Sequence, residues 1–386
     1  MYHFQQLPPL SLYIHVPWCV RKCPYCDFNS HTAQEELPEQ AYIQALLADL
    51  EQELPLIWGR SIQTIFIGGG TPSLFSAEAY ETLFSGLRAL LNLSPDIEIT
   101  LEANPGTFEA QRFTDYRAIG INRLSIGVQS FDAASLKALG RIHDDREAIR
   151  AAEIAHQAGF ENFNIDLMFG LPSQTAALAK HDVESAIALA PSHISYYQLT
   201  IEPNTLFYQQ PPDLPDEDPL FEWQLSNQQR LAEAGYQQYE TSAYARDGKR
   251  CQHNMNYWQF GDYLGIGAGA HGKITSAAEQ SIRRRVKQKL PKSYLNHAGH
   301  ADSLLADTLV EVNEVGFEFM LNALRLTDGF ATPLFMQRAG IPLARVNTAL
   351  QKAEQLGLLE YDIQQIRPTP LGQRYLNTLI ELFLPE

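Results

Sequence analysis

The amino-acid sequence predicts an α/β protein: a partial (β/α)6 TIM-like barrel followed by a small C-terminal helical domain of winged-helix type. Six apolar segments rich in β-branched and aromatic residues alternate with segments of helical periodicity. Such serial β-α units imply parallel strands joined by right-handed crossovers. The alternation stops short of the eight units that close a full barrel. The predicted barrel is therefore open on one side.

The β-α units can be placed along the chain. The predicted strands are "SLYIHV", "TIFIGG", "IEITLEA", "NRLSIGV", "FNIDLMF" and "HISYYQL". The predicted helices are Glu39–Leu54, Ala77–Leu91, Ala110–Ile119, Arg146–Ala158 and Ala176–Leu189. Several of these helices end near Gly or Pro, as helices commonly do.

The composition changes after Thr200. An acidic, proline-rich connection, "EPNTLFYQQPPDLPDEDPLF", precedes a predicted helix over Glu222–Ala234 and a strand-like "QYETSAYA". Near the C-terminus, "LVEVNEVGFEFMLNALRL" and "LGQRYLNTLIELFL" have helical periodicity, and "LLEYDIQQIRPTPLG" suggests a short β wing. We predict a barrel domain over 1–245, a connecting segment over 246–305 and a C-terminal domain over 306–386.

Charge and hydropathy exclude some classes of function. The chain has 386 residues and a net charge of −16, which argues against bulk attraction to nucleic acid or anionic lipid. Neither an export signal nor a bilayer-length apolar run is visible. We expect a cytoplasmic protein with no nucleic-acid partner and no stable membrane insertion. The one basic cluster, Arg283–Lys289, is explained by a solvated face or by an anion site.

Three of the four cysteines lie in one short stretch, "HVPWCVRKCPYCDF", at Cys19, Cys23 and Cys26. Four cysteines cannot build a disulfide framework in a chain of this size, and the spacing lacks the paired C-x2-C units of a structural zinc site. Three thiolates on a tight loop suit an iron–sulfur cubane, which normally has four cysteine ligands. One iron would then stay open to a small chelating molecule.

Polar residues follow the predicted strands, and active sites of such barrels lie at the carboxyl ends of the strands. "GGGTP" over Gly68–Pro72 follows the second strand, and Glu102 ends the third. Gln129 ends the fourth strand, Arg141 lies just beyond it and Asp166 is on the fifth. Each also has a purely structural explanation: a strand-to-helix turn, a helix cap or a surface ion pair. Together they predict a ligand site beside the cysteine loop.

The C-x3-C-x2-C spacing after the first strand resembles the radical S-adenosylmethionine (SAM) superfamily, and Tyr25 matches the aromatic residue before the last cysteine. The resemblance implies a 4Fe-4S cluster at the three cysteines, with SAM on its open iron and reductive cleavage of SAM to a 5′-deoxyadenosyl radical. By the same resemblance, the expected SAM contacts are Tyr13, Tyr25, Gly69, Gly70, Thr71, Glu102, Gln129, Arg141 and Asp166.

The resemblance extends over nearly the whole chain. "YIHVPWCVRKCPYCDFNSH", "GGGTPSLF", "EANPG", "RLSIGVQSFD", "LGRIHD" and "NIDLMFGLP" look like the group that contains oxygen-independent coproporphyrinogen III oxidase and the heme chaperones of the HemW family. The oxidase has a further cysteine at the position of Phe28 and a longer N-terminal segment. Both departures favour the heme chaperones.

A third feature agrees with that family: "HNMNYW" over His253–Trp258 resembles its heme-associated H-N-x-x-Y-W motif. Imidazole is a common axial ligand of heme iron, so the resemblance makes His253 the favoured heme ligand. Tyr257 and Trp258 are expected to stack on the macrocycle or to line its pocket. Without the resemblance, a histidine beside aromatic residues is more often a hydrogen-bonded core residue.

Three further features near this motif stay open. Cys251 is either a bystander thiol or a second heme contact. His271, after the glycine-rich "GDYLGIGAGA", is a weaker second ligand candidate. Arg283–Arg285 are candidates for the heme propionates on charge alone.

The resulting hypothesis is a heme chaperone that binds a 4Fe-4S cluster, SAM and heme and passes heme to acceptor proteins; a homodimer is compatible with the sequence. No catalytic residue is assigned. One alternative is an anaerobic enzyme like oxygen-independent coproporphyrinogen III oxidase, although that activity is not expected. Another is a metal-dependent regulatory protein whose C-terminal domain binds DNA.

Overall fold

A computed structural model of the chain describes residues 1–33, 36–106 and 109–385. The strands found there are β1 (Leu10–Val16), β2 (Trp18–Cys19), β3 (His31–Thr32), β4 (Ser61–Gly69), β5 (Asn92–Ala103), β6 (Arg123–Gln129), β7 (Phe163–Phe169), β8 (His193–Gln198), β9 (Gln237–Glu240), β10 (Ala243–Ala245), β11 (Asp262–Ile266), β12 (His271–Ser276), β13 (Ser281–Lys287), β14 (Leu304–Leu309), β15 (Phe330–Ala331), β16 (Leu359–Tyr361) and β17 (Gln365–Pro368).

The α-helices of the same residues are α1 (Glu39–Ile57), α2 (Ala77–Leu90), α3 (Glu109–Ile119), α4 (Ala133–Ala138), α5 (Asp145–Gln157), α6 (Ala176–Ala188), α7 (Leu206–Gln209), α8 (Glu217–Glu233), α9 (Gln252–Trp258), α10 (Pro291–His297), α11 (Val315–Ala323), α12 (Thr332–Ala339), α13 (Asn347–Gln355), α14 (Pro370–Arg374) and α15 (Leu376–Glu381). Within the described ranges, no helix is long and apolar enough to cross a membrane.

One large sheet organises the main part of the molecule. Its strand order is β14-β13-β12-β11-β1-β4-β5-β6-β7-β8-β10-β9. The strands from β11 to β8 run parallel, and those at both ends are antiparallel. The six predicted strands are β1 and β4 to β8, in the predicted order. The α/β class and the partial barrel are therefore confirmed.

The parallel strands are apolar because helices cover the sheet. All seven residues of β6 are buried, as expected for a strand that is packed on both faces. Several of the helices begin at a residue whose side chain accepts a hydrogen bond from a free backbone N–H group, among them α2, α4, α5 and α6. Helix α5, for example, starts with a capping box between Asp144 and Glu147.

The segment predicted as a connection contributes strands β11 to β14 to the large sheet. Strand β11 lies parallel to β1, with Tyr13 beside Gly265. A buried ion-pair cluster then fastens β13 to α1, because Lys287 Nζ lies 2.5 Å from Asp49 Oδ1 and 2.6 Å from Glu53 Oε1. The predicted boundary between 305 and 306 falls inside β14, so the domain division stays a prediction.

The C-terminal part has helices α11 to α15, the three-stranded sheet β15-β17-β16 and a second hydrophobic core, to which Phe260 and Ile282 of the preceding segment contribute. The N-terminus packs into that core through Tyr2 and Phe4. Tyr2 also donates a hydrogen bond to the carbonyl of Val310 over 2.8 Å. The first residues of the chain thus connect this part to the barrel.

Candidate functional site

The three clustered cysteines lie on the loop that begins with β2, just after the first barrel strand. All three are free and half-buried. The backbone N–H of Cys26 donates to the carbonyl of Cys23 over 3.2 Å, which tightens the loop. Arg141 Nη1 lies 3.7 Å from Cys23 Sγ, and Cys26 Sγ lies 3.8 Å from Ser30 Oγ.

These thiols fit a cluster better than a single metal ion. In the described ranges, no three His, Cys, Asp or Glu side chains surround one point that could hold a metal ion. A cubane needs no such point, since each cysteine binds a different iron. Burial raises the pKa of Cys19 and Cys26, so both are thiols until a metal displaces their protons.

The cysteine loop covers a cavity of about 520 Å³ at the carboxyl ends of the barrel strands. Its lining includes every predicted SAM contact except Tyr13. These residues are Tyr25, Gly69, Gly70, Thr71, Glu102, Gln129, Arg141 and Asp166, together with Cys19, Cys23 and Cys26. Residues that are far apart in sequence therefore meet at one site, as the strand-end argument requires.

Two buried carboxyl groups face this cavity. Glu102 Oε2 accepts a hydrogen bond from the N–H of Gly69 over 3.0 Å. Asp166 accepts from Asn164 over 2.7 Å and from Ser125 over 3.2 Å. Burial and then the nearby Asp166 raise the pKa of Glu102 to about 8, and burial raises the pKa of Asp166. The pair suits a cationic ligand, whose charge would stabilise the ionised carboxylates.

Two further predicted SAM contacts, Arg141 and Gln129, are fixed by hydrogen bonds within the protein. Arg141 Nη2 donates to Asn104 Oδ1 and to the carbonyl of Gly127, both over 2.6 Å. Gln129 Oε1 accepts from the Tyr197 hydroxyl over 2.8 Å. Gln129 also has a φ of 71°, a left-handed conformation that non-glycine residues seldom adopt. Such strain is concentrated at functional sites.

In "GGGTP", Gly70 packs closely against the backbone that leads into the cysteine loop. Gly70 N–H donates to the carbonyl of Val16 over 2.7 Å. A Cβ atom at Gly70 would lie 2.4 Å from the carbonyl oxygen of Trp18. A side chain at this position would therefore push away the backbone that leads into Cys19.

A larger cavity of about 700 Å³ adjoins the first one, within the range for ligand sites. Asp27, Phe28, Gly69, Glu102 and Trp258 line both cavities. Tyrosine and tryptophan rings form much of the larger cavity's wall, and cationic or imidazole groups lie around it. The rings are Tyr13, Tyr257, Trp258 and Tyr263; the other groups are His15, Lys22, His271, Lys273, Arg284 and Lys289.

His253 does not face either cavity. It is fully buried in α9, with Nδ1 2.8 Å from Thr64 Oγ1 and Nε2 2.8 Å from the Tyr257 hydroxyl. Thr64 donates its own proton to Ser11, so His253 Nδ1 is the donor and Nε2 accepts from Tyr257. An iron ligand needs a nitrogen lone pair that points to the metal. The predicted ligation of heme iron by His253 does not fit this geometry.

Cys251 is likewise a packing residue in this structure. It is fully buried, lines neither cavity and lies with Sγ 3.7 Å from Glu98 Oε1. Glu98 also accepts from the backbone N–H groups of Gln252 and His253 and so caps the start of α9. Burial raises the pKa of Cys251 to about 12, which keeps it an inert thiol.

The predicted propionate contacts by Arg283 and Arg285 stay predictions that this geometry does not favour, because both guanidinium groups are paired elsewhere and neither lines the larger cavity. Arg283 lies 3.3 Å from Asp307, and Arg285 pairs with Glu53 and with Asp307. Because side chains alternate along a strand, only Arg284 of the three faces the cavity. Its Nη2 forms an ion pair with Glu318 Oε2 at 2.6 Å.

His271 begins β12, and its exposed ring faces the larger cavity. Among the described residues, this ring has no hydrogen-bond partner. Desolvation lowers the pKa of His271, and the positive charges of Lys289 and Arg284 lower it further. The imidazole is therefore neutral near physiological pH.

Sequence reasoning missed Asn29, which joins the cysteine loop to the wall of the larger cavity. Its Nδ2 donates to the carbonyls of Ala268 over 2.9 Å and Lys289 over 2.8 Å. Its own carbonyl is 2.8 Å from His15 Nε2. The position lies within "CDFNSH", but no spacing in the sequence indicates contacts with residues so distant along the chain.

Comparison with known proteins places this geometry in a family. Residues 13–185 match the radical SAM superfamily and residues 310–375 match the HemN C-terminal domain. The chain is 50% identical to heme chaperone HemW of Escherichia coli K12 over 99% of this chain and 100% of that protein. It is 48% identical to heme chaperone HemW of Haemophilus influenzae, over 99% of each chain.

A solved structure shows the same fold. Coproporphyrinogen III oxidase (HemN) from Escherichia coli, a radical SAM enzyme, superposes with a TM-score of 0.82 over 98% of this chain and 90% of that one, at 23% identity. The relatives, the matched domains and the fold agree. This chain therefore belongs to the HemW family of the radical SAM superfamily.

Proposed function

We propose that this chain is a heme chaperone that holds a 4Fe-4S cluster at Cys19, Cys23 and Cys26, binds SAM in the smaller cavity and heme in the larger one, and transfers heme to acceptor proteins. The observation that carries the proposal is the shared wall of the two cavities. The cysteines line only the smaller cavity, Tyr257 of "HNMNYW" lines only the larger one, and Glu102 and Trp258 line both. The names of the relatives support the same function.

The chain's own residues suit SAM in the smaller cavity. When bound, the cluster would supply an open iron for the amino and carboxylate groups of SAM and an electron to its sulfonium. Glu102 and Asp166 offer carboxyl groups to the cationic parts of SAM. Gly69 and Gly70 keep the backbone edge free of side chains. Tyr13 lines only the larger cavity, so its predicted SAM contact has less support.

The larger cavity suits a flat apolar ring with anionic side groups. Tyr257 and Trp258 provide aromatic faces, and Lys22 and Lys289 provide positive charge. Arg325 lies 4.5 Å from the centroid of the Trp258 ring and fixes its orientation. Among the described residues, the buried indole N–H of Trp258 has no acceptor. A bound ligand would supply one.

Anaerobic reconstitution tests the proposal directly. Protein reconstituted with iron and sulfide should contain about four irons per chain and should then bind about one hemin per chain, since a single cubane and a single heme site are proposed. Incubation with the apo form of a b-type heme protein should move the Soret absorbance to that acceptor. Failure of hemin to saturate at about one per chain, or no transfer to the acceptor, would contradict the proposal.

A second candidate function follows from the shared wall. A porphyrinogen in the larger cavity would lie beside the SAM residues, as radical decarboxylation of its propionates requires. Incubation of the reduced protein with coproporphyrinogen III and SAM separates the two functions. Repeated turnover would favour an enzyme like the oxidase, whereas heme binding and transfer without turnover would favour the chaperone.

A further inference from the structure

We propose that His271, rather than His253, is the axial ligand of heme iron, and that His253 is a positioning residue that holds Tyr257 at the wall of the larger cavity. This inference rests on the proposed function, because it presupposes that the chain binds heme. It names the ligand and the orientation of the ring.

The first argument is the hydrogen bonding of two other histidines, His253 on α9 and His15 on β1. Both ring nitrogens of His253 are engaged inside the protein, by Thr64 and by Tyr257. His15 lines the cavity, but its nitrogens are 2.9 Å from the Tyr13 hydroxyl and 2.8 Å from the Asn29 carbonyl. Using a nitrogen of either ring for iron would break at least one of these hydrogen bonds, at about 1–3 kcal/mol for each buried group left unpaired.

His271 meets the requirements that those histidines fail. Its ring lines the cavity and has no hydrogen-bond partner among the described residues, so a nitrogen lone pair is accessible. Its backbone is nevertheless fixed, because it pairs with Val286 in β13. Gly265 lets β12 come close, since a Cβ atom there would lie 2.0 Å from the His271 carbonyl. A fixed backbone with an uncommitted ring is suited to hold a ligand bond.

Cationic side chains that line the same cavity as His271 would orient the heme. Lys289 lines the same cavity and acts electrostatically on His271. Lys22 donates to the carbonyls of Phe28 over 3.1 Å and Ser30 over 3.3 Å, which leaves one of its three N–H donors. Arg284 is already engaged with Glu318 and Tyr263. Propionates would therefore lie at Lys22 and Lys289, with the ring extending towards Tyr257 and Trp258.

The role of His253 follows from its two bonds. His253 accepts a hydrogen bond from the Tyr257 hydroxyl. This bond turns the polar end of Tyr257 inward and leaves its ring in the cavity wall. The Tyr257 and His253 rings meet edge to face at 4.8 Å. Loss of His253 would loosen an aromatic wall but would leave the iron ligand in place.

The test is hemin titration of protein purified without iron–sulfur reconstitution, read by the Soret band and by electron paramagnetic resonance of ferric heme. Wild type is compared with His271→Ala, His253→Gln, His253→Ala and the matched control His181→Ala, an exposed histidine on α6. We expect His271→Ala to lose the spectrum of histidine-ligated heme and to bind hemin about tenfold more weakly. Added imidazole should restore the spectrum. His253→Gln should keep the wild-type spectrum.

Two results overturn the inference while leaving the proposed function intact. One is a wild-type spectrum in His271→Ala; the other is loss of histidine ligation in His253→Gln when circular dichroism shows it folded. If wild type itself fails to bind hemin stoichiometrically, the proposed function fails and the inference falls with it.

Discussion

Replacing Glu102 with glutamine should stabilise the protein before any ligand is added. In the folded chain the pKa of Glu102 rises from its ordinary value of 4.5 to about 8, mainly through burial. Between these values the unfolded chain releases a proton that the folded chain keeps, so stability falls as pH rises through this window and then levels off. Each pKa unit corresponds to about 1.4 kcal/mol, so the penalty at about pH 7 is at most about 3.5 kcal/mol.

Urea unfolding of the cluster-free protein, followed by circular dichroism from about pH 5 to about pH 8, measures how the free energy of unfolding depends on pH. Wild type and Glu102→Gln should be nearly equally stable at the acidic end and should diverge as pH rises, with the variant more stable. Glutamine keeps an acceptor for the Gly69 N–H, so that bond is not lost. Glu81→Gln, on the exposed face of α2, is the control. Parallel pH profiles for wild type and Glu102→Gln would refute the reasoning.

Three further substitutions address the cysteine loop. Cys23→Ala should reduce bound iron after reconstitution from about four per chain to nearly none, whereas Cys251→Ala should keep it; retained iron and sulfide in the first variant would contradict the cluster assignment. Gly70→Ala should lower the free energy of unfolding by about 1–3 kcal/mol because its Cβ would meet the Trp18 backbone. Gly106→Ala should be neutral, because a Cβ there would have no atom of the described residues within 4 Å; equal effects of the two substitutions would refute the contact. Asn29→Ala should weaken hemin binding in a titration by about tenfold, since two backbone carbonyls of the cavity wall lose their donor; unchanged affinity would contradict that link.

The sequence was sufficient for the barrel because local patterns determine it. Each of the six strands is a short apolar run between helical segments, and parallel pairing follows from that order. Strands β11 to β14 were not predicted. They lie in a segment whose apolar and charged residues alternate irregularly, and β13 is stabilised by ion pairs with α1 that periodicity cannot reveal.

The candidate site divides in a similar way. The strand-end rule brought Glu102, Gln129 and Asp166 together without any knowledge of their contacts, because strand ends meet wherever parallel strands pair. It could not predict that both ring nitrogens of His253 are hydrogen-bonded inside the protein. Whether a histidine is available as a ligand depends on its neighbours, here Thr64 on β4, which lies 189 residues away in the chain.

The same dependence on distant contacts explains how one loop serves both cavities. Its three cysteines face the smaller cavity, Phe28 lies on the shared wall, and Asn29 holds the backbone beside Ala268 and Lys289 in the larger one. Because these residues follow one another within a few peptide bonds, a movement of the loop would displace both walls together. The net acidity of the chain does not oppose an anionic ligand there, since Lys22 and Lys289 line the larger cavity and local charge governs attraction at short range.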